Sequence, residues 1–253
     1  PSVMARSLTS AQTNLIALVV GSMRNPFDAA LVECLSRQLY ANGKRLLLVP
    51  ADDELNDPGA AVALDYQTDG VIVAAGHISQ QAAERFSRLG IPVVLFGRVI
   101  EASGVDCIVA DNGGAARQAG ELLVRSGAKK VAYVRHVRDT FSDDERYEGL
   151  LAGLDGKATV SVVKSTTLDV RNCSLSLLSG DARPDAIFAA NDVLAFGAIE
   201  AAAQLGLCVP DDLMIVGFDD VARASSPFYD LTTLRQSPDV IAEWIVARLL
   251  ERL

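Results

Sequence analysis

The chain has 253 residues, half of them hydrophobic and 22% charged, a balance that suits two small packed domains and excludes intrinsic disorder. Thirty-two acidic against 23 basic residues leave a net charge of −9, which argues against a body that binds nucleic acid by itself. No apolar run reaches the ~18 residues of a membrane span, and no charged-then-apolar leader pattern opens the sequence.

Residues 1–13 differ in character from the rest of the chain. Met4 to Leu8 suits one or two helical turns, too short to be stable alone, or a frayed terminus. Leu15 to Val20 is an apolar run of the kind that forms a buried parallel strand. A loop comes next, and Asp28 to Asn42 reads as an amphipathic helix with Leu31, Leu35 and Leu39 on one stripe, ended by Gly43. Arg45 to Val49 is a second strand, and 52–58 an acidic loop before a helix over 60–67. Gly70 to Ala75 is a third strand, Ser79 to Leu89 a helix ended by Gly90, Ile91 to Phe96 a fourth strand and Asp106 to Ala110 a fifth.

The pattern then restarts. Asp111-Asn112 caps a helix over 113–126, followed by strand Val131 to Val134, helix Asp143 to Leu154, strand Val160 to Val163 and a short helix Cys173 to Leu178. Ile187 to Ala190 is again a buried run, and Asp192 stands as the N-cap of a helix that Gly206 ends. Leu213 to Phe218 is a strand that runs into Asp219-Asp220. Leu231 to Leu234 is a short extended piece, and Asp239 to Leu253 a closing helix.

Two successive series of this kind predict an α/β protein of two Rossmann-like lobes, each a parallel sheet with helices on both faces. The strand-to-helix edges collect Asn25, Asp28, Arg98, Asp111, Ser142, Arg146, Asn191 and Asp219. Ligands of open α/β sheets bind at such edges, and a cleft between two lobes would bury a small polar one.

Fingerprints of known chemistry are missing. There is no GxGxxG after the first strand, no GxxxxGK[ST] and no GxSxG. No cofactor is expected, and no metal either, because CxxC is absent and the histidines are only His77 and His136. Both histidines read as solvated loop residues. Cys34, Cys107, Cys173 and Cys208 read as buried free thiols of a reducing cytoplasm. Asp52-Asp53, Asp143-Asp144 and Asp211-Asp212 read as solvated charges of loops and helix starts. Asp219 either caps backbone amides or accepts ligand hydroxyls. Arg146 opposes the dipole of its own helix and calls for a carboxylate or ligand oxygen, or else a surface ion pair. Phe27 is core or an apolar platform for a sugar face.

Several segments, in order, resemble the LacI/GalR family of transcriptional repressors. They are Met4 to Leu8 with Thr13 to Val19, Asn25-Pro26-Phe27, Asp69 to Ile72, Ile91 to Leu95, Asp111 with Gly120 and Gly127, Arg146 with Gly149, Ala190-Asn191-Asp192 with Gly197, Pro210 to Leu213, Val216 to Asp220, and Leu231 to Leu234. The resemblance implies a periplasmic-binding-protein-like type I core. Residues 1–13 would be a hinge remnant, 14–110 with 238–253 one lobe, and 111–237 the other. It also implies a small effector, often a sugar or nucleoside-type metabolite, held between the lobes. By position, Phe27, Asp28, Ser142, Arg146, Asn191, Asp219 and Gln236 match its ligand contacts. Arg6 and Leu8 match the hinge that meets phosphate and wedges into the minor groove.

Two departures bear on the ligand. Asp28 stands where the family often has a second aromatic, and Gly97-Arg98 where it often has an aspartate. The helix-turn-helix headpiece is not in the sequence, so operator DNA would be a partner only through that domain and the hinge. The resulting expectation is a cytoplasmic, homodimeric sensing core that is not an enzyme and does not meet a membrane. An extracytoplasmic sugar-binding protein of the same fold is the alternative.

Overall fold

A computed structural model describes residues 13–21, 23–50, 65–74 and 80–253. The expected acidic loop, the helix of 60–67 up to residue 64, His77, and the hinge residues Arg6 and Leu8 lie outside the described residues. The chain divides into two compact units, one ending at Val109 and resuming over Ser237–Leu253, the other spanning Ala110–Gln236.

In the first unit the order is β1 (Leu15–Val20), α1 (Pro26–Ala41), β2 (Arg45–Pro50), β3 (Gly70–Val73), α2 (Gln80–Arg88), β4 (Val93–Phe96) and β5 (Val105–Ile108). The second unit supplies α3 (Asn112–Arg125), β6 (Lys130–His136), α4 (Phe141–Leu154), β7 (Thr159–Ser165), α5 (Val170–Ser179), β8 (Ala186–Ala189), α6 (Asp192–Gln204), β9 (Met214–Asp219) and β10 (Thr232–Arg235). The chain then returns to the first unit as α7 (Pro238–Leu250). Each unit holds one five-stranded parallel sheet, ordered β2-β1-β3-β4-β5 and β10-β9-β8-β6-β7. The α/β fold of two parallel sheets is as expected. In both sheets the strand order reverses beside the first strand, so the switch points lie at β1/β3 and β6/β8.

Continuous apolar runs explain the central strands. Ile16 to Val20, Val71 to Val73 and Ile187 to Ala189 are all buried, because helices cover both faces of a parallel sheet and leave no side for alternation. Helix α1 starts two residues before the expected Asp28. The Asn25 side chain accepts from the Phe27 N–H at 3.1 Å, and Pro26 occupies the first turn, where its missing N–H costs nothing. Thr13 is tied down rather than frayed: its N–H donates to Asp69 Oδ1 at 2.8 Å. Asp106 of β5 accepts from Arg248 and Arg252, both at 2.9 Å, which fastens the end of α7 to its sheet. The thiols are not uniformly buried. Cys34 is, Cys107 and Cys173 are half-buried, and Cys208 is exposed, because it lies in the turn segment after α6 rather than inside an element.

Helices α3 and α4 touch backbone to backbone. A Cβ on Gly153 would stand 2.1 Å from the Arg117 carbonyl oxygen, and one on Gly149 would stand 2.3 Å from the Gly113 carbonyl oxygen. Neither neighbour is a flexible side-chain end that could move aside. This packing fixes the axis of α4, whose first turn reaches the carboxyl edge of the second sheet. Gly153→Ala should therefore destabilise the chain by about 1–3 kcal/mol through overpacking. Gly180→Ala, where a Cβ meets its nearest atom at an ordinary 3.7 Å, should leave the midpoint of a urea melt nearly unchanged.

Candidate functional site

The polar residues converge at the carboxyl edge of the second sheet. Strand β6 ends in Arg135-His136, β8 runs into Ala190-Asn191, β9 ends in Asp219, and β10 leads into Gln236. The N-terminus of α4, reached directly from β6, adds Ser142, Asp143 and Arg146.

Asn191, not the expected Asp192, is the N-cap of α6. Its φ of −153° and ψ of 169° are extended, and its Oδ1 accepts from the Leu194 N–H at 2.9 Å. The neighbouring Asp192 is the first helical residue and is fully buried. Its carboxylate accepts from the Val221 N–H at 2.8 Å and from the Thr233 hydroxyl, so it ties α6 to β10 and to the chain after β9. Gly217 leaves the space it needs: a Cβ there would lie 2.3 Å from Asp192 Oδ1. Burial pushes the Asp192 carboxyl up to about 6 against the pull of those two donors.

Arg146 is buried, contrary to a surface ion pair. Its Nε donates to Asn112 Oδ1 at 2.9 Å, its Nη1 donates to the Ala190 carbonyl, and its guanidinium lies 3.7 Å over the Phe218 ring. Neutral oxygens and a ring face meet its donors and face, and the buried Asp143 carboxylate lies close enough to attract its charge. Asp219 is only 3% exposed. Its Oδ1 accepts from Gln236 Nε2 at 2.7 Å, and the Gln236 N–H donates to its carbonyl at 3.2 Å. Its φ of 114° is one that side-chain-bearing residues rarely adopt, and Asp220 follows at 55°. The strain and the Gln236 bond hold the carboxylate at the edge.

Two residues read as solvated are not. Asp143 is buried beneath the edge, with Oδ2 at 3.8 Å from Arg135 Nε, and burial pushes its carboxyl up. Its neighbour Asp144 is exposed and accepts from Arg135 Nη2 at 2.9 Å. His136 is half-buried, with Nε2 at 3.0 Å from Asn191 Nδ2. Burial lowers its pKa, although Asp143 and Asp219 pull the other way. The signal for His136 was present in the sequence: a polar break ending an apolar strand, as at Asn191. Asn112 and Phe218, which hold Arg146, carried no comparable signal.

The seven expected ligand contacts therefore fall into two groups. Ser142 (half-buried, in the first turn of α4), Arg146, Asn191, Asp219 and Gln236 share one sheet edge in the second unit. Phe27 and Asp28 belong to the first turn of α1 in the first unit. There Phe27 is 5% exposed, with its ring 6.3 Å from that of Phe96, so it contributes to that unit's core. Among the described residues no group of His, Cys, Asp or Glu is arranged to hold a metal ion, and no helix is long and apolar enough to cross a membrane.

Comparison with known proteins agrees with this architecture. Residues 121–253 match the family described as a periplasmic binding protein-like domain. Over 94% of its length the chain superposes on 90% of a LacI family transcriptional regulator from Enterococcus faecium, solved with bound ribose, at a TM-score of 0.84 and 24% identity. It is 28% identical over 93% of its length to the ribose operon repressor of Halalkalibacterium halodurans, covering 72% of it. It is 31% identical, over its whole length and 78% of the relative, to the HTH-type transcriptional repressor PurR of Mannheimia succiniciproducens. The chain belongs to the LacI family of transcriptional regulators. Within that family its named relatives are transcriptional repressors, not enzymes.

Asp192 gives this LacI-family fold a pH signature. A carboxyl titrating near 6 when folded and at its ordinary 3.8 when unfolded binds protons more tightly in the native state. Its contribution to stability is complete below pH 3.8 and is lost as pH rises through about 6. Asp192→Asn keeps one acceptor and removes the titration. The stability advantage of the parent chain over this variant should be largest near pH 4 and should shrink toward pH 7, as read by urea melts across that range.

Proposed function

We propose that the chain is the effector-sensing core of a LacI-type repressor, and that its effector is a small polyhydroxylated metabolite of the sugar class. The effector docks at the carboxyl edge of the second sheet. One observation carries this reading: Arg146, Asn191 and Asp219, three buried polar side chains from three elements, meet at the β6/β8 switch point and the strand beside it, where open α/β sheets bind their ligands. The similarity to a repressor named for a ribose operon supports the ligand class.

Each side chain has a role that its geometry suits. The Asp219 carboxylate accepts hydrogen bonds from hydroxyls, with Gln236 keeping it in place. Asn191 donates through Nδ2, whose second hydrogen is not needed for His136. Arg146 offers a planar array of donors to hydroxyl or ring oxygens, and Ser142 offers a hydroxyl. Phe27 and Asp28 stay in the proposal as contacts from the first unit, on the strength of the family resemblance. Coupling to operator DNA runs through the hinge residues Arg6 and Leu8 and a DNA-binding domain, in a cytoplasmic homodimer. Such couplings are typically about 1–3 kcal/mol and are reciprocal.

A thermal-shift series with D-ribose, D-glucose and a nucleoside tests this. An effector at about 100 times its dissociation constant stabilises by about 2.7 kcal/mol. Asp219→Asn tolerates the same backbone, since asparagine also adopts positive φ. It should keep the unliganded melting temperature and weaken the stabilising sugar by about 10- to 100-fold, the worth of a hydrogen bond to a charged group. Unchanged affinity in this variant would remove Asp219 from the site.

A further inference from the structure

Asn191 is committed at both ends of its side chain. Oδ1 accepts from the Leu194 N–H at 2.9 Å and so caps α6, which turns Nδ2 toward His136 Nε2 at 3.0 Å. An amide nitrogen only donates, so His136 Nε2 must be the acceptor and the imidazole proton sits on Nδ1. The cap therefore fixes the tautomer of a histidine 55 residues away, and the histidine fixes the Nδ2 end of the amide.

From this geometry we infer that His136 is the positioning residue for Asn191, and that its protonation releases the Asn191 amide and weakens effector binding. The inference rests on the proposed docking of the effector at Asn191. A protonated imidazole carries hydrogens on both nitrogens and cannot accept from Nδ2. Two donors would face each other, and flipping the amide to present Oδ1 to His136 would place Nδ2 against the Leu194 N–H and forfeit the cap. The two demands cannot both be met, so the amide loses its fixed direction.

The charges facing His136 act in opposite directions on this step. Asp143 and Asp219, from α4 and β9, favour the imidazolium, while burial and Arg146 of α4 oppose it, and the balance lies below the ordinary value of 6.5. The imidazole is thus neutral near pH 7 and gains its proton only below the ordinary histidine range. Effector affinity falls in the same direction.

Two measurements on the intact chain test this, one of them without any ligand. In imidazole 15N–1H correlation spectra, His136 should show an unprotonated Nε2 near pH 7 and a titration midpoint below 6.5. Asn191→Asp keeps the cap oxygen and turns the facing group into an acceptor, so it should raise that midpoint by about one unit or more. An Nε2-protonated tautomer at pH 7, or a midpoint that Asn191→Asp does not move, overturns the inference. With D-ribose as probe, the dissociation constant should rise about fivefold or more between a pH above the His136 midpoint read in those spectra and a pH below it. In His136→Gln, whose side-chain oxygen accepts from Nδ2 but does not titrate, it should change less than about twofold. An equal pH dependence in both proteins also overturns it. If D-ribose fails to bind at either pH, the effector reading loses that sugar, and the spectra alone decide the role of His136.

Discussion

The second unit depends on one buried guanidinium. Arg146 reaches from α4 to Asn112 at the start of α3, to the carbonyl of Ala190 at the end of β8, and across the face of Phe218 at the end of β9. A buried cation is costly unless its donors are met and its charge is balanced. Here two oxygens, a ring and the charge of the buried Asp143 share that task, and the oxygens and the ring bring four elements to one point. Each is an element that carries or borders a candidate contact, so positioning of the site and solvation of the arginine are the same event.

That arrangement needs α4 at a particular depth. Gly149 and Gly153 let α4 lie against the α3 backbone, and a wider separation would move the start of α4 relative to Asn112 and to β8. The same region concentrates costly features of the second unit: a carboxyl pushed up to about 6, consecutive residues at positive φ, and a half-buried histidine paired with the amide that caps a helix. Strain and buried polarity thus gather at the carboxyl edge of the second sheet, a pattern common at functional sites.

Much of the fold was legible because buried parallel strands advertise themselves as apolar runs and helices announce their ends with asparagine, proline and glycine. Local signals stop short at the site. Asn191 and Asp192 are both good caps, and which one serves depends on where β8 stops. The partners that make Asp192 structural, Val221 and Thr233, come 29 and 41 residues later. Asp143 and His136 look like solvent-facing polar residues until the sheet order places β8 beside β6. Arg146 was recognisable as a cation in an awkward place, but its neutral partners were not. Identification of Arg146, Asn191 and Asp219 as contacts leaned on family resemblance, and the structure adds that all three are buried at one sheet edge.

Hydrogen–deuterium exchange of the chain with and without its stabilising sugar bears most directly on where the effector docks. Added protection is expected at 189–194, at 218–221 and over the first two turns of α4. Protection confined to the outer α3 and β10 surface, or to segments away from that carboxyl edge, would contradict it.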